Sequence, residues 1–232
     1  MWIDQQILEE SSKPLSFKVF IPQSPIVVLG NGNGKQEVYL DRCAENDIPV
    51  FRRCGGGGAV ILHPGCLVVS VGAWVQDPYK NDFYFKLLNQ SLIDTIFLLS
   101  HLELQQKGIS DLAYGVKKVA GTSLFRSRRY LLYQASILVK SHSDLMGEYL
   151  PHPSKEPDYR KQRCHKDFVV GLDELNSEVS VESFKRGFED HYCRILENAL
   201  SSQLIEIPER ELKNVQQRLI RSRIQKFSEV SE

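Results

Sequence analysis

Apolar residues recur along the chain in two patterns, short runs typical of strands and longer stretches with a helical spacing. Six short segments are bounded or separated by turn-forming residues and are predicted to be strands, and the first two are apolar and rich in β-branched side chains. They are residues 17–21, 26–29, 48–51, 110–113, 117–120 and 130–139. The first two are separated by a short proline-bounded turn, so we expect them to pair with each other. The middle of the chain should form a sheet.

The clearest helical spacing lies in residues 81–101. Apolar residues there recur every three or four positions, so one stripe of the helix should face the core. The stripe consists of Phe85, Leu88, Leu92, Ile96 and Leu99. Ser180 has the residue type and position of an N-cap and should begin a second helix. The apolar stripe of that helix is expected at Phe184, Phe188, Tyr192 and Ile195.

Weaker patterns predict three further helices, at residues 1–10, 37–46 and 211–227. The last is charged and amphipathic and follows Pro208. The inward positions expected in the second are Val38, Leu40 and Cys43. Residues 151–163 are rich in proline, lysine and arginine and have little apolar periodicity, which predicts a mobile loop across the surface.

Charge and cysteine content narrow the class of function. The 29 Lys and Arg residues balance 29 Asp and Glu residues, so no net field attracts nucleic acid or an anionic membrane, and a cationic site has to be local. The N-terminus lacks a basic flank followed by an apolar stretch, and no apolar run approaches a membrane span, so we expect a cytoplasmic protein. Five scattered cysteines without a Cys-x-x-Cys pair predict reduced thiols instead of disulfides or a zinc site.

One short segment carries candidate chemistry. Arg52, Arg53 and a cysteine precede four consecutive glycines, and the apolar run that follows, to Val71, predicts a buried strand. Backbone amides beside a guanidinium can hold phosphate, because amides are fixed donors and arginine is a bidentate fork. A flexible turn between strands is the alternative interpretation. The segment is neither a P-loop nor a dinucleotide fingerprint, since no Gly-Lys-Ser/Thr follows and a strand comes next.

The order of several motifs makes the sequence similar to a known family. Arg53, the glycines and Ala59-Val60 are followed by DLAYGVKKVAGTS at residues 111–123, a strand at 131–138 and HKDFVVGLDEL at 165–175. This order resembles the lipoate-protein ligase A family of the biotin/lipoate protein ligase superfamily. The resemblance implies an α+β fold of the class II synthetase type, with a mixed, largely antiparallel sheet flanked by helices. It also implies a catalytic domain at residues 1–192 and a helical C-terminal extension at residues 193–232.

The resemblance implies a reaction and its partners. Such ligases use ATP and Mg²⁺ to activate lipoate to lipoyl-AMP, and then transfer the lipoyl group to a lysine of an acceptor domain. The family's acceptors are the lipoyl domains of 2-oxo acid dehydrogenases and the glycine-cleavage H protein. Relatives often carry a further C-terminal domain, so a separate accessory domain is one expectation here. The basic residues Arg126, Arg128 and Arg129 would form a rim for an acidic acceptor, or are an ordinary solvated turn.

The resemblance also assigns roles to residues. Lys118 is the expected catalytic cation between the acyl carboxylate and the α-phosphate. Lys117 should point the other way, because strand neighbours alternate, and Lys118 should share a face with Ala120. Asp111 is a candidate Mg²⁺ ligand, with turn capping as the alternative. Residues expected to bind ATP and lipoyl-AMP are Arg53, Gly57, Gly58, Ala59, Val60, Ile61, Gly121 and Ser123. Residues expected at the acyl pocket are Gly30 and Asn33.

Several positions depart from the family pattern. Residues 30–33, Gly-Asn-Gly-Asn, stand where Gly-Arg-x-Gln is usual, so a cation near the acyl pocket is missing. His63 is shifted by one position, and Cys66 stands where Asn is usual. Ser110 replaces another Asn, and residues 133–135, Tyr-Gln-Ala, replace Gln-His-Gly.

These departures leave two other functions open. An octanoyltransferase of the same superfamily would carry the acyl group as a thioester on a cysteine, without ATP. Cys54, Cys66 and Cys164 are candidates by presence alone, or else small buried and loop residues. A degenerate, non-catalytic lipoyl-binding module is the other alternative. A biotin ligase is a weaker relative, because its glycine-containing loop differs.

Overall fold

The computed structural model describes residue 7 and residues 10–221, with only the backbone for residues 220 and 221. The helix predicted at residues 1–10 lies almost wholly outside the described residues, as does the end of the helix predicted at 211–227. The described chain forms two sheets with helices packed against them. None of its helices is long and apolar enough to cross a membrane.

The larger sheet has six strands, and every neighbouring pair in it is antiparallel. Its order is β1 (Leu15–Phe20), β5 (Cys66–Trp74), β9 (Tyr130–Leu138), β8 (Lys117–Ser127), β7 (Asp111–Tyr114) and β6 (Gln105–Lys107). The smaller sheet has the order β3 (Val50–Arg52), β2 (Ile26–Leu29) and β4 (Val60–Leu62), with β2 parallel to β3 and antiparallel to β4. The predicted mixed, largely antiparallel architecture is confirmed.

The pairing expected between the first two strands is wrong. β1 pairs with β5, where Phe17 lies opposite Val71, whereas β2 belongs to the smaller sheet. Pro22 and Pro25 lie between them and have no backbone N–H to donate to a ladder. The connection therefore carries the chain from one sheet to the other.

The apolar run after the glycines forms two strands where one was predicted. It breaks at Pro64 and Gly65, so β4 joins the smaller sheet and β5 crosses the larger one. Pro64 cannot donate a ladder hydrogen bond, and a Cβ on Gly65 would meet the carbonyl oxygen of Lys140. The glycine segment consequently lies where the two sheets approach each other.

Seven α-helices lie within the described residues. They are α1 (Leu40–Glu45), α2 (Asn81–Ser100), α3 (Ser143–Tyr149), α4 (His165–Phe168), α5 (Leu172–Leu175), α6 (Val181–Leu200) and α7 (Glu209–Arg221). Short 3₁₀ helices occur at Lys35–Glu37 and Asp158–Arg160. α2 and α6 pack against each other and share the main core with the larger sheet. α1 and α3 share a second core with the smaller sheet.

The two long helices confirm the sequence patterns that predicted them. In α2, Leu88, Leu92 and Ile96 are buried. Ser180 caps α6 by accepting a hydrogen bond from the backbone N–H of Ser183 at 3.3 Å. Ile195 is only half-buried, and Leu196 takes its place in the core, because positions four residues apart stay on one side of a helix.

Some strands differ from the predicted ones because pairing with a neighbouring strand lengthens them or forms them. β8 was predicted to end near Ala120, but it continues to Ser127 because β9 pairs with it along this length. The basic turn is therefore confined to Arg128 and Arg129. β6 was not predicted, since its polar sequence becomes a strand only by pairing with β7. The helix predicted from residue 37 begins at Leu40.

Candidate active site

A cleft runs between the two sheets and consists of two adjoining cavities. The larger has a volume of about 200 Å³ and the smaller about 130 Å³. Both are lined by Gly58, Ala59, Val60, Asp111, Lys118, Gly121 and Ser136. The glycine segment and the predicted lysine therefore meet at the junction of the two cavities.

Lys118 is held at this junction by an ion pair. Its Nζ lies 2.6 Å from Oδ1 of Asp111 on the neighbouring strand, and the lysine side chain is only 25% exposed. Lys117 is exposed to solvent, as predicted. The main chain of Lys118 is also fixed, because its carbonyl oxygen accepts the N–H of Val170 at 2.9 Å.

A β-bulge decides which residues share the face of Lys118. Opposite β8, Leu112 pairs with Ala120 but Ala113 pairs with Lys118, so β8 contains one extra residue. The expectation that Lys118 shares a face with Ala120 is wrong, because the extra residue shifts the alternation. Lys118 instead shares a face with Asp111 and Gly121, and a Cβ on Gly121 would lie 3.0 Å from Lys118 Nζ. Glycine at 121 leaves room for the lysine.

Tyr159 completes a hydrogen-bonded chain through Asp111. Its hydroxyl donates to Asp111 Oδ2 at 2.9 Å, while Lys118 occupies Oδ1. Burial raises the pKa of Tyr159 far above its ordinary value, so the hydroxyl stays protonated and remains a donor. The sequence patterns did not single out Tyr159, because it lies in a segment without apolar periodicity.

Arg53 fastens the glycine segment. It is 9% exposed, and its Nη2 donates to the carbonyl oxygens of Gly56 at 2.6 Å and Gly58 at 2.9 Å. Gly57 has a φ of +92°, in the region that favours glycine. A Cβ on Gly30 would collide with the Gly57 carbonyl oxygen. Glycine is therefore required at positions 30 and 57, whereas a Cβ at Gly56 or Gly58 would meet nothing within 4 Å.

The other predicted site residues fall into two groups. Ile61 lines the larger cavity, whereas Arg53, Gly57 and Ser123 line the smaller one. Gly30 and Asn33 are among the lining residues of neither cavity. Asn33 instead closes its own turn, because its Oδ1 accepts the N–H of Gly30 at 2.6 Å.

The larger cavity is covered by residues 151–164, which we call the strap. The predicted loop contains one 3₁₀ turn and is tied down at two points. Ser154 donates to the buried carboxylate of Glu37, and Tyr159 donates to Asp111. Strap residues that line the larger cavity are Pro151, Pro153, Lys155, Pro157 and Arg160. Glu37, Lys155 and Arg160 add charged side chains that the sequence patterns did not connect with the site.

The walls of the two cavities differ in charge. Apolar residues of the larger cavity include Leu138, Met146, Leu150 and Phe168, beside the charged residues of the strap. The smaller cavity is lined by apolar side chains, among them Val28, Leu62 and Val68, and by the uncharged polar side chains of Ser110, Thr122, Ser123 and Gln134. Apart from the Lys118–Asp111 pair, Arg53 is the one charged residue among the described residues that line it.

The candidate cysteines are poorly placed for thioester chemistry. None of the five cysteines, all of which the structure describes, forms a disulfide. Cys66 lines the larger cavity, but it is fully buried, and burial raises the pKa of its thiol to about 12. Cys54 is buried and Cys164 is exposed, and neither is among the residues that line the cleft. A thiolate nucleophile is therefore disfavoured at Cys66.

His63, displaced by one position from the family pattern, has a structural role. Its Nδ1 accepts the N–H of Gly65 at 3.0 Å, and its ring centroid lies 4.7 Å from that of His142. Burial and the nearby His142 lower the pKa of His63 to about 4, so the ring is neutral near pH 7. His63 is not among the residues that line either cavity of the cleft.

The basic residues expected to form an acceptor rim are largely engaged within the chain. The guanidinium of Arg126 lies 5.6 Å from the ring centroid of Tyr79. Arg129 forms an ion pair with Glu211 of α7 at 3.0 Å. Arg128 lies between them in the exposed turn.

Several solved structures have the same fold. A lipoate-protein ligase A bound with ATP superimposes with a TM-score of 0.70 at 21% identity, covering 94% of this chain and 87% of that one. Ta0514 from T. acidophilum, solved with bound lipoic acid, has a TM-score of 0.69 at 19% identity and covers 84% and 80% of the two chains. These likenesses confirm the predicted fold class.

Curated relatives point to the same group of proteins. Lipoate-protein ligase 1 of Staphylococcus aureus is 22% identical over 187 residues, which cover 79% of this chain and 56% of that protein. Lipoate-protein ligase A of Psychrobacter cryohalolentis is 25% identical over 174 residues, or 73% and 50% of the two. The chain thus spans about half the length of these curated relatives. Residues 1–193 match the family model of the lipoyl protein ligase A/B catalytic domain, and the chain belongs to that family.

Proposed function

We propose that this chain is an ATP-dependent lipoate-protein ligase, which forms lipoyl-AMP and transfers the lipoyl group to a lysine of an acceptor domain. The observation that carries the proposal is the position of Lys118, paired with Asp111 where two cavities of different character meet. An acyl adenylate also has two parts of different character, because its apolar acyl chain and its nucleotide are joined at one acyl phosphate.

The character of each wall suggests which half of the intermediate it holds. The smaller cavity suits an acyl chain, because Arg53, the one additional charged residue among its described lining residues, donates hydrogen bonds to main-chain carbonyl oxygens. The larger cavity suits the nucleotide, because Lys155 and Arg160 add positive charge to its wall. Val60 and Gly58 line both cavities and would pack against the acyl phosphate.

In the first step, a carboxylate oxygen of lipoate attacks the α-phosphorus of ATP. The bond from that phosphorus to the oxygen bridging to the β-phosphate breaks, and pyrophosphate leaves with the bond's electron pair. Negative charge develops around the α-phosphorus, where the Lys118 ammonium would stabilise it. Asp111 fixes the direction of that ammonium. In the second step, the neutral amine of the acceptor lysine attacks the acyl carbon and AMP leaves.

Arg53 and the glycines would act as a preformed wall. Because Arg53 holds the carbonyl oxygens of Gly56 and Gly58, the segment is fixed before substrate arrives. We propose that Arg53 acts mainly by positioning Gly57 and Gly58. Gly121 and Ser123 would border the same junction from β8.

Mg²⁺ fits this site as an ion carried by the nucleotide. No group of three or more His, Cys, Asp or Glu side chains that could hold a metal occurs among the described residues. Mg²⁺ commonly takes one or two carboxylates together with substrate phosphates. Asp111 would be the protein ligand, through an oxygen lone pair left over from its contacts with Lys118 and Tyr159. The ion would neutralise phosphate charge.

The acceptor is proposed by relation to similar proteins. One structural relative is described as a bi-partite lipoate protein ligase with its E2 lipoyl domain from Thermoplasma acidophilum. We infer an acceptor of the same class, a lipoyl domain of a 2-oxo acid dehydrogenase or an H protein. An accessory domain from a separate polypeptide is also proposed. The boundary proposed at residues 192 and 193 would lie inside α6, with the helical extension beginning there.

Lipoate-dependent exchange of labelled pyrophosphate into ATP tests the first step. A ligase should exchange label only when lipoate is present, and should then lipoylate a lipoyl domain without a further acyl donor. Transfer from an octanoylated carrier without ATP would instead support the transferase. Binding of lipoate with neither activity would support the non-catalytic module.

A further inference from the structure

The strap brings a second pair of cations to the larger cavity, apart from Lys118. Lys155 and Arg160 both line this cavity, and they lie on opposite sides of Pro157 in the chain. Lys155 directly follows Ser154, whose hydroxyl donates to the buried carboxylate of Glu37. That hydrogen bond fixes the main chain beside Lys155, while the lysine side chain itself is exposed.

Arg160 is an unusual residue for the wall of a cavity. It is 5% exposed, and its guanidinium lies 4.7 Å from the ring centroid of Phe168. Its Nε donates to the carbonyl oxygen of Arg163 at 3.0 Å and lies 3.4 Å from the carboxylate of Glu156. Its Nη2 is buried and has no hydrogen-bond partner among the described residues. The Nε of the guanidinium therefore contacts other residues of the strap, whereas Nη2 is a donor without an acceptor among the described residues.

The surroundings of Arg160 favour an anion as the missing acceptor. The guanidinium of Arg163 lies over the same Phe168 ring, at 5.3 Å, so two cations lie close together. Carboxylates near the cavity already have partners. Glu156 accepts hydrogen bonds from Gln162, and Glu37 accepts one from Ser154. Asp111 is paired with Lys118 and Tyr159.

We propose that Lys155 and Arg160 form a binding subsite for the β- and γ-phosphates of the nucleotide and for the pyrophosphate that leaves. The assignment rests on the proposed function, since it needs a nucleotide in the larger cavity. When the bond to the α-phosphorus breaks, the electron pair passes to the departing pyrophosphate oxygen. Cations around that group stabilise the charge that it gains, as Lys118 does on the other side of the same bond.

The two steps of the reaction give this subsite a specific signature. Formation of lipoyl-AMP uses the β- and γ-phosphates, whereas transfer from preformed lipoyl-AMP to an acceptor does not. Loss of one charge-assisted hydrogen bond should raise the KM for ATP about tenfold or more in Lys155→Ala and in Arg160→Gln. Transfer from added lipoyl-AMP should proceed at the wild-type rate in both variants.

Lys161→Ala is the matched control, because Lys161 is an exposed lysine of the same strap and is not among the residues that line the cavity. It should leave both steps unchanged. Lys155→Ala removes an exposed side chain, so it tests the subsite even if Arg160→Gln proves unstable. Thermal unfolding of each variant identifies a loss caused by misfolding.

The other possible results would contradict either the phosphate subsite or the proposed ligase function. If both variants keep the wild-type KM for ATP, the subsite is wrong while the ligase function stands. If they slow transfer from lipoyl-AMP as much as its formation, the residues have no special link to the β- and γ-phosphates, and the subsite is again wrong. If the wild type shows no lipoate-dependent exchange, the proposed function fails. In that case, calorimetric titration with inorganic pyrophosphate tests the subsite by itself. The subsite requires that Lys155→Ala and Arg160→Gln bind pyrophosphate more weakly than the wild type does.

Discussion

At the scale of single residues, one carboxylate organises the candidate site. Asp111 lies between Lys118 and Tyr159, with one oxygen directed to each. Neutralising any member of such a chain changes the position or charge of the others. The three side chains come from β7, β8 and the strap, so the arrangement depends on all three elements.

Lys118→Ala should reduce formation of lipoyl-AMP by about two to three orders of magnitude, as expected when one preorganised donor is lost from a reacting centre. Lys117→Ala is the control, because the neighbouring lysine is exposed and is not among the residues that line the cleft. Pyrophosphate exchange measures the effect, and thermal midpoints exclude unfolding as its cause. Equal exchange by Lys118→Ala and the wild type would end this assignment.

Tyr159→Phe should slow formation of lipoyl-AMP by about tenfold, because it removes one hydrogen bond to a charged group and leaves the ring in place. The hydroxyl would act by positioning, through Asp111 and Lys118. Pyrophosphate exchange measures the rate, and Tyr114→Phe, at an exposed tyrosine of β7, should leave it unchanged.

His63 makes stability depend on pH. Its pKa is lowered to about 4 in the folded protein, so between about pH 4 and pH 6.5 the unfolded chain binds a proton that the folded chain does not. The stability present above pH 6.5 should therefore fall on acidification, by up to about 1.4 kcal/mol for each pH unit in this window. Denaturant unfolding of the wild type and His63→Gln at several pH values should give a steeper dependence for the wild type. Parallel curves would show that His63 contributes nothing.

At the scale of elements, the glycine segment is a main-chain structure that depends on its neighbours. Arg53 bonds to its carbonyl oxygens, and the turn at Gly30 packs directly against Gly57. Strand β4, which follows the glycines, then places Val60 and Ile61 along the cleft. A loop that would be flexible in isolation is fixed by these contacts.

Gly30→Ala should destabilise the protein by about 1–3 kcal/mol, because its Cβ would force the Gly57 carbonyl out of position. It should also lower the rate of lipoyl-AMP formation, since Gly57 and Gly58 line the cleft. Gly32→Ala is the matched control in the same turn, where an added Cβ meets nothing within 4 Å. Thermal unfolding and pyrophosphate exchange would be compared, and equal behaviour of the two variants would contradict the packing argument.

At the scale of the whole molecule, the two sheets and the strap form one cleft from distant parts of the chain. Residues from Val28 to Val169 line its two cavities. This supports binding of both substrates by the described chain itself. Transfer to an acceptor is a separate requirement, for which an accessory domain stays a prediction.

ATP and lipoate together should stabilise the purified chain against thermal unfolding. A ligand bound only by the folded state at 100 times its dissociation constant contributes about 2.7 kcal/mol. The pair should raise the thermal midpoint more than either ligand alone, because lipoyl-AMP would span both cavities. Lys118→Ala should lose the additional effect of the pair. Stabilisation by lipoate alone, unaffected by ATP, would indicate the non-catalytic module.

The sequence by itself determined the features that depend on neighbouring residues. The apolar spacing of α2 and α6 and the cap at Ser180 are local, because helix period and cap chemistry act over a few residues. The order of the motifs also identified the family and selected Lys118 over Lys117. The sequence did not determine which distant residues these elements and Lys118 contact.

The tertiary structure alone decided which distant elements meet. It paired β1 with β5, and the bulge in β8 turned Lys118 toward Asp111. It also laid the strap over the larger cavity, where Tyr159 reaches Asp111 across 48 residues of chain. Strand partners, bulges and such long-range hydrogen bonds arise from packing between sheets and therefore leave no period in the sequence.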